Sequence, residues 1–498
     1  MEDQPGQEAS RARVASVDLE TSHPLVAMVL DRASALGPAL AQRAAHAGLA
    51  VMQPDGAVRS IPIGALPVVL SDEEIARRGT LASQLLSATA KAARWRMAGS
   101  RRGAVLAALG AAERRLVQAT WESTSGLAVA RVDFLGGAEL YALEVNTTIP
   151  AMQGYSDIAA ESWLATFAAG RRDLPDLIEA NGSNALALLQ ALIEVHAKNR
   201  VDELRSVGLL CRRADAQLTE LRFLRDRFRR AGLDTHIVHP DELTWQRGYL
   251  LYHGQPLQLV YRHLFVSRLD AAPAPDLERA MTASTRHGTL VLNRPTPHLE
   301  MKSTLALLSQ SLESLDLSQA MGLDDAERQA IRMSVPWTRS LIVDESHKDA
   351  RAHDLVAQVS AEPEAFVLKR SWSYGGNEVF VGRAHETGSF WSRVQATYPN
   401  VDRWADLCQH AARDSRGGGF VVQRAVPRVQ TEQVLCTPTA SHTAQVITDY
   451  AAHASIGSSP AWGGVCRAAA SDIVNIVGGG AVVPIIRRHV ADRLLQPA

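Results

Sequence analysis

Ala130-Arg131-Val132-Asp133-Phe134-Leu135-Gly136-Gly137-Ala138-Glu139-Leu140-Tyr141-Ala142-Leu143-Glu144-Val145-Asn146 sets strongly polar side chains at alternate positions of an otherwise apolar stretch. Successive side chains of a strand point to opposite faces, so a period of two predicts a hairpin. Val132, Phe134, Tyr141, Leu143 and Val145 form its expected apolar face, and Gly136-Gly137 the turn. An even-length loop places odd positions of the first strand on the face of even positions of the second. Arg131, Asp133, Glu144 and Asn146 then converge. Two carboxylates and an amide oxygen are hard ligands that suit Mg²⁺, which is usually held by one or two carboxylates plus substrate phosphates. A nucleotide is the implied partner. The competing reading is the solvated face of an amphipathic hairpin.

A nucleotide needs phosphate-binding groups, and neither Gly-x-x-x-x-Gly-Lys-Ser/Thr nor Gly-x-Gly-x-x-Gly occurs in the chain. The alternative is Phe366-Val-Leu-Lys369-Arg-Ser-Trp-Ser373-Tyr374-Gly375-Gly376-Asn377-Glu378-Val379-Phe-Val-Gly382, two strands joined by a glycine-bearing loop. Glycines let backbone amides approach phosphate oxygens, and a lysine on a strand adds a point charge. Lys302 precedes this segment; Phe420-Val-Val-Gln423-Arg-Ala-Val426 and Glu432 follow it.

The rest of the chain sets bounds. Its 498 residues suffice for several domains or one multi-lobed enzyme. A formal net charge of −1 gives no sign of a nucleic-acid partner. The amino end is polar and acidic rather than signal-like, no apolar run is read as approaching the length of a membrane span, and the four cysteines form no Cys-x-x-Cys pair. These features lead us to expect a cytoplasmic protein without membrane partners. Ser206–Cys211, an amphipathic helix over 215–231, Gly232 and Thr235–Val238 read as a βαβ-like unit.

The strand pair resembles the metal-binding segment of ATP-grasp ligases, above all the Arg-x-Asp then Glu-x-Asn-Thr-x-Pro-Gly-Met string of D-alanine:D-alanine ligases. Lys302, Lys369, the loop with Ser373, Gly375 and Gly376, and the strand ending at Gln423 and Val426 resemble the family's nucleotide lobe. Gln423 stands where Glu is common, and an amide can still accept from the adenine amino group. The metal strands precede the lysines, the reverse of the usual order, so the chain resembles circularly permuted ATP-grasp proteins. Gly463-Gly464-Val-Cys-Arg467-Ala-Ala is similar to that family's late Gly-Gly-x-x-Arg-Val-Ala stretch.

The resemblance implies an α/β (α+β) ATP-grasp fold with a two-lobed cleft. Its parts would be an arm over 1–25, a helical region with the metal-binding subdomain over 26–199, a pre-ATP-grasp α/β domain over 200–295, and the nucleotide lobe with closing strands over 296–498. It implies ATP and about two Mg²⁺ (or Mn²⁺) ions on Asp133, Glu144 and Asn146. Phosphates would meet Lys302, Lys369 and the glycine loop, the base Gln423 and Val426, and the ribose Glu432. Arg131 and Arg467 would act on the transferring phosphoryl group, and Tyr155 and Ser156 would hold a substrate. The implied activity is joining a small carboxylic acid to an amine, the candidates being an amino acid, a small peptide or a polyamine. The alternatives are a small-molecule kinase and a non-catalytic nucleotide-binding scaffold. The oligomeric state stays open, a homodimer included.

Overall fold

The computed structural model describes residues 23–123, 129–137, 139–200, 202–283, 287–342, 350–456, 463–476 and 478–496. Most of the arm expected over 1–25 lies outside these residues. The elements used below begin with α1 (Pro24–His46), β1 (Ile63–Gly64), α2 (Asp72–Ala98), β2 (Ala130–Leu135), β3 (Tyr141–Asn146) and α3 (Gln153–Phe167). Then come β4 (Ser206–Leu210), α4 (Leu218–Arg230), β5 (Asp234–Val238), β6 (Leu259–Arg262), β7 (Leu290–Leu292) and α5 (Lys302–Ser311). The chain continues with β8 (Thr338–Leu341), β9 (Phe366–Arg370), β10 (Val379–Val381), β11 (Phe420–Arg424), β12 (Gln430–Cys436), β13 (Ser441–Ala454), β14 (Gly464–Ala469) and β15 (Ala481–Val483).

A seven-stranded sheet in the order β12-β1-β15-β14-β13-β2-β3 carries the polar hairpin at one edge. One face packs on α1 and α3 through Leu25, Val29, Tyr155 and Trp163, and the other on α2 and α5 through Leu85, Phe134, Leu305 and Leu308. Each such fully buried side chain contributes roughly 1.5–3 kcal/mol. Sequence from both ends therefore meets in one sheet. Helix α1 proves long and apolar enough, by length and composition, to cross a membrane. Its buried face lies in the core.

The expected βαβ unit is present: β4, α4 and β5 belong to an all-parallel sheet in the order β7-β6-β4-β5. A second four-stranded sheet, antiparallel, has the order β8-β11-β9-β10 and carries Lys369 and Gln423 on neighbouring strands.

The hairpin reaches its predicted register by another route. Arg131 pairs with Asn146 and Asp133 with Glu144, and directly opposed residues share a face. The connection, however, spans residues 136–140, an odd number, and Leu135 pairs with Tyr141. A bulge after Asp133, with Leu143 as the extra residue, restores the parity. It also turns Tyr141 and Leu143 off the expected apolar face, where Leu140 and Ala142 pack instead. Gly136 has φ +116, and a Cβ there would collide with the Glu139 carbonyl oxygen.

Candidate active site

A cavity of about 360 Å³ lies where the seven-stranded sheet, the antiparallel sheet and the loops after β4 and β6 meet. Arg131, Asp133, Glu144 and Asn146 line it together with Lys302, Lys369, Gly375, Gly376, Gln423, Val426 and Arg467. Hairpin and glycine loop thus share a single cavity, although more than two hundred residues separate them in sequence.

Lys302 opens α5, where its backbone amide bonds the Ser371 carbonyl at 2.9 Å. Its Nζ donates to the Ser373 carbonyl at 2.8 Å and stands 3.4 Å from Glu144 Oε2. Ser373 is not part of the wall, and its hydroxyl donates to the Asn377 carbonyl at 3.1 Å. Lys369 Nζ donates to Gln423 Oε1 at 2.6 Å and to the Leu143 carbonyl at 3.3 Å. Both are neutral acceptors. Burial lowers this lysine's pKa to about 8, Glu144 opposing the shift and Lys302 adding to it. Gln423, expected to meet the base, is bonded within the protein through both ends of its amide. Its Oε1 serves Lys369 and its Nε2 donates to Thr338 Oγ1 at 3.1 Å.

Beside the lysines lies a buried cluster of two arginines and two carboxylates. Arg131 grips Asp133 bidentately, at 2.6 Å and 3.0 Å, and Arg467 Nη2 reaches the same carboxylate at 2.8 Å. Arg467 is also bonded to Asp449, its cross-strand neighbour. Burial by itself would raise the Asp133 carboxyl, but the two guanidinia overcome that and hold it below the ordinary range. For Asp449 burial prevails and the pKa rises. Sequence reasoning missed Asp449; its signal was an isolated acid within the strand pattern Val446-Ile-Thr-Asp449-Tyr-Ala.

This cluster bears on the expected metal ligands. Both Asp133 oxygens accept from arginine, Oδ1 once and Oδ2 twice, so Asp133 positions the two guanidinia and keeps one lone pair on Oδ1. Among the described residues no three His, Cys, Asp or Glu side chains form a metal-binding group. Glu144 and Asn146 remain: hard oxygen donors on the cavity wall, with Asn146 Nδ2 buried and unpartnered, so that its amide is not fixed by the protein. They fit a hard cation completed by phosphate oxygens.

Three expected residues lie elsewhere. Helix α3 begins after Met152 (φ 93), and Glu220 of α4 caps it, accepting from the Met152 and Gly154 amides at 2.7 Å and 3.1 Å. Tyr155 and Ser156 fall in the first turn and point into the core. Tyr155 donates to the Ala50 carbonyl at 2.6 Å, and Ser156 to the Gly464 carbonyl at 2.8 Å. Glu432 is exposed on β12, opposite Gln445 and outside the cavity wall. In place of Tyr155 and Ser156, the wall continues into Arg212, Asp215 and Gln217 after β4 and His263, Phe265 and Arg268 after β6.

No family model matches the chain, and no curated protein matches it. Among solved structures, the apo form of a glutathione synthetase-like effector (GSS30) from Globodera pallida aligns over 92% of this chain and 97% of its own, with 10% identity and a TM-score of 0.57. The chain shares that protein's fold. A protein named as a candidate γ-glutamylcysteine synthetase from Methylobacillus flagellatus KT aligns over 81% of this chain and 88% of its own, with 12% identity and a TM-score of 0.37, too low to support an argument.

Proposed function

We propose that this protein is an ATP-dependent ligase joining a small carboxylic acid to an amine through an acylphosphate, by way of a circularly permuted ATP-grasp site. The observation that carries the reading is the single cavity lined by two lysines, a glycine loop, two hard oxygen donors and two buried arginines. A carboxylate does not condense with an amine in water without activation. An oxygen of the acid attacks the γ-phosphorus, the bond to the bridging oxygen breaks, and ADP leaves. The amine nitrogen then attacks the acyl carbon, and phosphate departs with the oxygen it received.

Lys302 and Lys369 would hold the phosphates, and the Gly375 and Gly376 amides would cover them. Glu144 and Asn146 would hold Mg²⁺, which when bound neutralises charge on the β- and γ-phosphates. Arg131 and Arg467 are fixed by Asp133 and Asp449 before any substrate arrives. A pre-placed cation facing a developing oxyanion is worth roughly 3–4 kcal/mol of barrier.

The test is a mass-spectrometric screen of amino acids, small peptides and polyamines for products whose formation releases ADP stoichiometrically. ADP release with a phosphorylated alcohol as product would replace the ligase with a kinase.

A further inference from the structure

One wall of the cavity carries an ion pair whose members keep unused hydrogen-bonding atoms. Arg383, in the turn after β10, and Asp472, between β14 and β15, both line the cavity. Asp472 Oδ1 stands 4.0 Å from Arg383 Nε and 3.5 Å from Arg428 Nε, within ion-pair range. Yet Arg383 Nε and Asp472 Oδ1 are buried and make no hydrogen bond. A donor and an acceptor left side by side in a wall match a ligand edge that offers an acceptor beside a donor.

The neighbouring wall defines the shape of that ligand. Val367, Val381, Leu143, Val426 and Val474 make an apolar slot suited to a flat ring. The polar atoms of the adjacent strand are already engaged. Gln423 Oε1 serves Lys369 at 2.6 Å, and the Val426 carbonyl accepts from Arg383 Nη2 at 3.1 Å.

Resting on the ATP reading above and deepening it, we infer that Asp472 and Arg383 read the edge of the adenine ring. The Asp472 carboxylate accepts from the exocyclic amino group, and Arg383 Nε donates to the neighbouring ring nitrogen. Guanine reverses the order of donor and acceptor along that edge. The base is therefore selected by the late segment around residue 472 rather than by Gln423.

The experiment compares non-hydrolysable analogues of ATP, of GTP and of purine riboside triphosphate, which has hydrogen in place of the amino group. Binding to the full chain with Mg²⁺ is followed by calorimetry. The wild-type protein is expected to hold the ATP analogue tenfold or more tighter than the other two, because a site built to bond a group rejects ligands lacking it. Asp472→Ala should lose about tenfold for the ATP analogue and nothing for the purine analogue, while Asp472→Asn, keeping an acceptor oxygen, retains most of the discrimination. Arg383→Met, checked for a wild-type melting curve, should likewise weaken the ATP analogue. Equal losses for both analogues in Asp472→Ala, no discrimination by the wild type, or a preference for GTP would each overturn the assignment. If the wild type binds no nucleotide at all, the ligase reading fails as well. If ATP binds but ignores Asp472, only the base assignment falls.

Discussion

Lys369 gives the sharpest quantitative test of the nucleotide site. It is 7% exposed, bonds only neutral oxygens, and has a pKa lowered from 10.5 to about 8. At about 1.4 kcal/mol per pKa unit, its charged form is destabilised by roughly 3 kcal/mol. Below about pH 8 the folded and unfolded chains both carry the proton, and between about 8 and 10.5 only the unfolded chain does. Fold stability therefore rises with pH through that window. Nucleotide affinity moves the other way. A triphosphate, fully ionised there because the last phosphate pKa lies near 6, returns the amine to its charged form. In the free protein about nine-tenths of Lys369 is charged at pH 7 and about one-tenth at pH 9. Binding should therefore weaken about tenfold between those values and take up about 0.9 proton at pH 9. Calorimetry with ATP in EDTA, repeated in buffers of different ionisation heat, measures the uptake directly. Lys369→Met should abolish it. A wild-type uptake below about 0.1 proton, or one unchanged in Lys369→Met, would refute the reasoning.

Three other perturbations probe neighbouring groups. Gln423→Glu places an anion where Oε1 now lies 2.6 Å from Lys369 Nζ, so the lysine pKa should rise and proton uptake at pH 9 should vanish while ATP binding persists. A titration curve like the wild type's would argue against that contact. Asp133→Ala leaves Arg131 and Arg467 each short of a buried partner and should cost about 3–5 kcal/mol, read as a lower urea midpoint; an unchanged midpoint would show that the cluster is not the strut described here. Glu144→Gln should keep the wild-type melting curve and stop ADP release, because a neutral amide is a poor replacement for a carboxylate on Mg²⁺. Near-normal turnover at saturating Mg²⁺ would remove Glu144 from the metal site.

Much of the site was legible because strand alternation is a strict code. Once Arg131, Asp133, Glu144 and Asn146 sat at period two, any hairpin of the right parity had to gather them. The code does not say how parity arises. A loop over 136–140 should have sent Glu144 to the core face, and only the bulge at Leu143 returns it to the cavity, a backbone event without its own sequence signature. Tyr155 and Ser156 were misplaced for a different reason. The motif identifies the stretch after Pro150, but along that stretch the cavity wall goes no further than Met152, and Glu220, some 65 residues later, takes the first amides of α3, whose first turn carries those two side chains into the core. Asp133 shows the deepest limit. Its spacing to Glu144 reads as a pair of metal ligands, and that spacing does not register Arg131 on the same strand or Arg467 on β14, three hundred residues downstream, both of which bond it. A carboxylate's role follows from which cations reach it first, and here one comes from two residues away and the other from the far end of the chain.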